Sequence, residues 1–143
     1  MIKLNILKIA VKRHISAFEH KSKIFVAQSE NKENYFILHR KINSLDLWLV
    51  NANNEEKCLM LARINKNEDS NINCANISSK GNLIAYSDAD NTCLFTYNYK
   101  ENSLKKLKTF KNISSRFIYF SPDESKLILV NQINSKIMIY NIN

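Results

Sequence analysis

The chain has 143 residues, 45% of them hydrophobic and 10% aromatic, with a formal net charge of +8 and a pI near 9.4. That apolar share can build a folded core and excludes a disordered composition. A single glycine excludes the phosphate-binding loop and the dinucleotide fingerprint, whose backbones must approach phosphates closely.

The positive balance favours acidic partners such as nucleic acid or anionic lipid. Heavy use of Asn, Lys and Ile gives the same excess if codons are drawn from an AT-rich genome. In chain order, "MIKLNILKIAVKRHISAF" is apolar in flavour but interrupted by Lys3 and Lys8, and no small-residue cleavage site follows, so it does not read as a signal peptide. No run approaches the roughly 20 apolar residues that span a bilayer. An intracellular chain without membrane contact is expected, and Cys58, Cys74 and Cys93, odd in number and set in apolar strands, read as buried free thiols.

Period-two alternation runs from end to end without a sustained helical stripe, so the class is all-β. Strands are predicted at Ile24 to Gln28, Tyr35 to Leu38, Leu45 to Val50, Cys58 to Ile64, Ile72 to Ser78, Leu83 to Ser87, Thr92 to Tyr97, Leu104 to Phe110, Arg116 to Ser121, Leu127 to Val130 and Lys136 to Ile142. Within them, "ISSKGNLIAYSDADNTCLFTYN" from Ile77 aligns with "FSPDESKLILVNQINSKIMIYN" from Phe120 at an offset of 43 or 44 residues. Each copy has a strand ending in Ser, a tight turn, a hydrophobic strand, a second polar turn and another strand. That period and grammar belong to β-propeller blades. In the turns, Ser121-Pro122-Asp123-Glu124-Ser125 uses the fixed φ of Pro and local bonding by Asp and Ser, where Ser79-Lys80-Gly81-Asn82 uses the chain's only Gly at a positive φ. Trp48 falls in a third-strand position and reads as a large core residue.

The expected architecture is a WD40-like propeller fragment of about two and three-quarter four-stranded blades, with blade-like units at about 11–65, 72–110 and 115–142. Closed propellers have typically 4 to 8 blades, because each blade buries its faces against neighbours. The chain is therefore expected to be the terminal part of a longer or split protein, to complete a ring with another chain, or to form an open array with exposed edges, a missing companion being the favoured reading.

Convergent chemistry is sparse. His14, His20 and His39 have no metal-ligand spacing, and no metal, cofactor or small-molecule substrate is expected. Asp88 with Asp90, and Asp123 with Glu124, read as solvated turn carboxylates, and Ser114 and Ser115 lack a His partner for nucleophilic catalysis. The feature of most interest is "LKKLKTFKNISSRF", where Lys105, Lys106, Lys108, Lys111 and Arg116 cluster around an outermost strand and its exit loop. On a regular strand Lys106 and Lys108 project to one face and Lys105 to the other. These five are the candidate RNA-contacting residues; the competing reading is an edge strand guarded by lysines.

"NINCANISSKGNLIAYSDADNTCLFTYNY", residues 71–99, resembles the cirhin family, WD40-propeller subunits of the small-subunit processome. "HISAFEHKSKIFVAQ" and "SLDLWLV" upstream, and "SLKKLKTF" and "FIYFSPDESKLILVNQINSKIMIYNI" downstream, extend the resemblance in order over residues 14–142. It implies a non-enzymatic scaffold of the nucleus and nucleolus that supports pre-18S rRNA processing and ribosome biogenesis. Implied partners are other processome subunits, both WD40 and helical scaffold proteins, the 5′ external spacer of the rRNA precursor and, indirectly, the U3 ribonucleoprotein. No catalytic residues carry over. The alternatives are a general WD40 adaptor outside the nucleolus and the propeller portion of a larger enzyme.

Overall fold

The computed structural model describes residues 22–29, 32–54, 58–66 and 71–142, which form antiparallel strands in three sheets. The first sheet holds β1 (Lys23–Gln28), β2 (Asn34–Arg40), β3 (Ser44–Asn51) and β4 (Cys58–Asn65). The second holds β5 (Cys74–Ile77), β6 (Leu83–Ser87), β7 (Thr92–Asn98) and β8 (Ser103–Phe110). The third holds β9 (Ser115–Phe120), β10 (Lys126–Asn131) and β11 (Ile137–Asn141). Strand order within each sheet follows chain order, and the first strands β1, β5 and β9 lie beside one another. Two four-stranded blades and one of three strands thus make a partial propeller, as the repeat predicts. Residues 11–21 of the first expected unit, His14 and His20 among them, lie outside the described residues.

The alternating pattern of each strand sends one set of side chains into each inter-blade space. Phe36, Leu38, Leu45 and Leu47 meet Ile77, Ile84, Tyr86 and Phe95 between the first two blades. Ala85 and Leu94 meet Ile118, Leu127 and Leu129 between the second and third. Leu38, Leu127 and Leu129 are fully buried, and truncating such a leucine to alanine costs about 2–5 kcal/mol.

One turn recurs in all three blades. Ser29, Ser78 and Ser121 each accept a backbone bond three residues on, from Lys32, Gly81 and Glu124 at 2.9, 3.0 and 2.9 Å. The serine hydroxyls then accept from the amides of Asn34, Leu83 and Lys126 at 3.2, 3.1 and 2.9 Å. The third residue after the serine takes a positive φ each time: 57° at Lys32, 83° at Gly81 and 61° at Glu124. Only two of the copies are visible as a sequence repeat. Gly81 has a second reason to be glycine, since a Cβ there would lie 2.1 Å from Phe36 Cδ2.

β5 is shorter than the predicted Ile72 to Ser78. The Ile72 amide donates to the Ile42 carbonyl at 2.6 Å, and Arg40 Nη1 donates to the carbonyls of Ile72 and Asn73, so these residues fasten the first blade instead of lengthening a ladder.

Candidate nucleic-acid interface

The five basic candidates do not form a single patch. Lys105, Lys106 and Lys108 lie on β8, the outermost strand of the second blade; Lys111 lies in the connection after it; Arg116 lies on β9, the first strand of the next blade. All five are exposed. The register also corrects the predicted side-chain directions. Leu94 pairs with Lys108 and Phe95 with Lys106, so the ladder shifts and Leu107 is left between them. A bulge of this kind turns the strand by one residue, and Lys106 and Lys108 therefore face opposite inter-blade spaces.

The ammonium groups of Lys106 and Lys108 each stand over an aromatic ring. Lys106 Nζ stands 5.6 Å from the Phe95 ring centre, on the side of the first blade. Lys108 Nζ stands 5.1 Å from Phe110 and 6.0 Å from Tyr140, on the side of the third. Both lysines are exposed, so the same ammonium groups can meet phosphate oxygens. Arg116 lies 5.5 Å over Phe117. The same bulge occurs in the first blade, where the register shifts between Leu47 and Trp48. Trp48 there is half-buried against Ile37, Val50 and Cys58.

Sequence reading missed a groove of about 750 Å³ between the first two blades, into which Lys80, Lys100, Lys105, Tyr97, Tyr99 and Phe36 project. Tyr99 meets Phe36 edge to face at 6.2 Å between ring centres. The hint available in the sequence was the run Tyr97-Asn98-Tyr99-Lys100 at a hairpin, which alternates rings with polar groups.

The other polar candidates are structural. Thr92 Oγ1 donates to the Ile113 carbonyl at 2.8 Å and lies 2.9 Å from Ser115 Oγ and 3.0 Å from Ser87 Oγ. The Ser115 amide donates to Ser87 Oγ at 2.7 Å, and Ser114 Oγ donates to the Asp88 carbonyl at 2.9 Å. These buried hydroxyls stitch the second blade to the third, which accounts for Ser114 and Ser115 without any nucleophile. Asp88 corrects the expectation of a solvated carboxylate. It is 3% exposed, pairs with Lys66 Nζ at 2.5 Å and accepts from the amides of Asp90 and Asn91. Burial alone raises its pKa, but the Lys66 bond and the two amides outweigh this and hold it below the ordinary carboxylate value.

Asp123 is exposed, as expected of a turn residue, and bonds from Ser121 and Ser125 draw it down to about 2. Glu124 Oε1 accepts from Ser79 Oγ and the Lys80 amide, tying adjacent turns together. His39 is 1% exposed and lies in the interior of the first blade's β2. Cys93 is buried while Cys58 and Cys74 are half-buried, and all three are free thiols. Burial pushes Cys74 up to about 12, and its thiol donates to the Ser115 carbonyl. Among the described residues, no three His, Cys, Asp or Glu side chains converge as a metal site.

Solved structures share this arrangement. The β-propeller domain of Cps50 (Swd1) from Myceliophteria thermophila superposes with a TM-score of 0.64 at 10% identity, over 84% of this chain and 41% of that one. The C-terminal WD40 domain of Sif2 gives 0.56 at 13% identity, over 82% and 33%. A Bacteroides uniformis protein provisionally described as a 6-phosphogluconolactonase gives 0.58 at 17% identity, over 90% and 40%. The fold is that of a partial β-propeller, shared with WD40 domains among these structures. The chain spans less than half the length of each of these structures. No family model and no curated protein matches its sequence.

Proposed function

We propose that the chain is a non-enzymatic WD40 scaffold of the small-subunit processome, acting in the nucleolus through contacts with neighbouring subunits and with phosphates of the rRNA precursor. The observation that carries this reading is the placement of chemistry in the blades. The hydroxyls of Ser87, Thr92, Ser114 and Ser115 and the Asp88 carboxylate are committed to bonds within and between blades, while the cations of β8 stand outside on aromatic rings. Such a body offers surface and charge, not a reaction centre. The ordered resemblance over residues 14–142 supplies the processome setting.

Binding then rests on interface burial and counterion release, with bases read weakly or not at all. The test is fluorescence anisotropy with a 5′ external spacer transcript over a salt series. Replacing Lys106, Lys108 and Lys111 by Gln keeps side-chain length and removes three charges, so the slope of log K against log salt should flatten by about 2 units. An unchanged slope would remove the phosphate-contact role. The Bacteroides neighbour keeps the propeller portion of an enzyme as the second reading, and lactone hydrolysis by the purified chain would establish it.

A further inference from the structure

The groove between the first two blades gathers rings and cations in one concavity. Its floor is apolar: Phe36 and Tyr97 are 6% and 4% exposed, and the Tyr97 hydroxyl is anchored by donating to Asn102 Oδ1 at 2.6 Å. Its wall is Tyr99, which is braced against Phe36 yet 55% exposed, so the ring is fixed in place with more than half its surface open. Lys80, Lys100 and Lys105 line the same space, all three exposed. Against them stands one lining carboxylate, Glu101, which accepts from Ser103 Oγ at 3.5 Å. The balance favours an anion, and a volume of about 750 Å³ falls in the range of ligand sites, roughly 300–1,000 Å³.

The backbone narrows the kind of anion. Around the groove the amides of Lys80, Gly81, Tyr97, Lys100 and Glu101 already donate within the chain, to Glu124, Ser78, Asn82 and, for the last two, the Asn98 side chain. An extended acidic peptide is gripped largely through main-chain hydrogen bonds, and these donors are committed elsewhere. Rings and ammonium groups are left to make the contact. Aromatic faces that stack bases, beside lysines that follow phosphates, hold single strands without reading their sequence. A duplex offers its backbone and groove edges but no open base face. Lys106, next after Lys105 on β8, stands over Phe95, a ring of the same inter-blade core, so the groove opens onto the cationic strand.

We propose that this groove holds an unpaired segment of RNA, with a base stacked on Tyr99 and the flanking phosphates met by Lys80, Lys100 and Lys105. The proposal rests on the RNA-contact reading of β8 and adds to it a preference for single strands. The experiment titrates the purified chain into a short fluorescent oligoribonucleotide, and into the same strand annealed to its complement, and follows anisotropy over a salt series. Tyr99→Leu keeps an apolar side chain beside Phe36 and removes the ring. Single-strand affinity should fall about tenfold at an unchanged salt slope, duplex affinity should stay put, and Tyr99→Phe should bind like the unaltered chain. Lys80→Gln with Lys100→Gln should flatten the single-strand slope by about 1 to 1.5 units. Single-strand affinity indifferent to Tyr99→Leu, in a chain that still loses binding when Lys106, Lys108 and Lys111 are replaced, would overturn the groove and leave the β8 contacts standing. An equal loss for strand and duplex would overturn the stacking. If Tyr99→Leu instead weakened only a labelled Glu-rich peptide, the groove would belong to an acidic protein segment. Failure of the unaltered chain to bind either RNA would overturn both readings.

Discussion

Gly81 shows how much one side chain can decide in this molecule. Its φ of +83° and its approach to Phe36 are separate demands. Gly81→Ala should destabilise by about 2 kcal/mol or more in a chemical melt. In a Phe36→Ala background the added cost should fall toward the roughly 1 kcal/mol of the backbone term alone. Equal costs in both backgrounds would show that the contact does not matter. Asp46 makes a second test. Burial raises its pKa, yet bonds from Arg63 Nε and Nη2 at 2.6 and 3.0 Å, with Lys41 at 3.3 Å, bring it below the ordinary value of 3.8. A carboxyl whose folded pKa is lowered contributes stability that is complete above its unfolded pKa and is lost as pH falls through the folded one. Asp88 behaves likewise. Stability should therefore hold near neutrality and fall as pH drops below about 4, and Asp46→Asn should make that fall shallower while costing about 2 kcal/mol at pH 7. A fall as steep as that of the unaltered chain would contradict the assignment.

At the scale of strands and turns, the hydroxyl network at Thr92 is the joint between the second and third blades. Thr92→Val keeps the shape and deletes the bonds to Ile113, Ser87 and Ser115, which should cost about 1–3 kcal/mol. Hydrogen exchange should quicken at the start of β9 and leave β2 and β3 unchanged; uniform quickening would mean that the blades do not open separately. These elements were mostly readable beforehand, because period-two alternation and a Ser-terminated turn are local signals. The copy of that turn at Ser29 escaped notice because its spacing to Ser78 is longer than that from Ser78 to Ser121. The bulge at Leu107 was invisible for a different reason. It arises from pairing with β7, and a single strand's pattern carries no record of its partner's register.

For the molecule as a whole, the same division holds. Two and three-quarter blades follow from counting strands, but which polar groups join the blades does not. Asp88 looked like a solvated turn residue because Lys66, its partner, belongs to another blade. The basic residues were legible as charge and not as a surface, since the fold separates Arg116 from the lysines of β8 and brings Lys80 and Lys100 beside Lys105 instead. The central claim is a place in pre-rRNA maturation. The most direct measurement is to tag the endogenous protein, purify it at mild salt, and identify the RNA and proteins in one eluate. The account predicts strong enrichment of the 5′ external spacer and U3 RNA together with processome subunits. A defined set of protein partners lacking both RNAs would contradict it and leave a WD40 adaptor that works elsewhere.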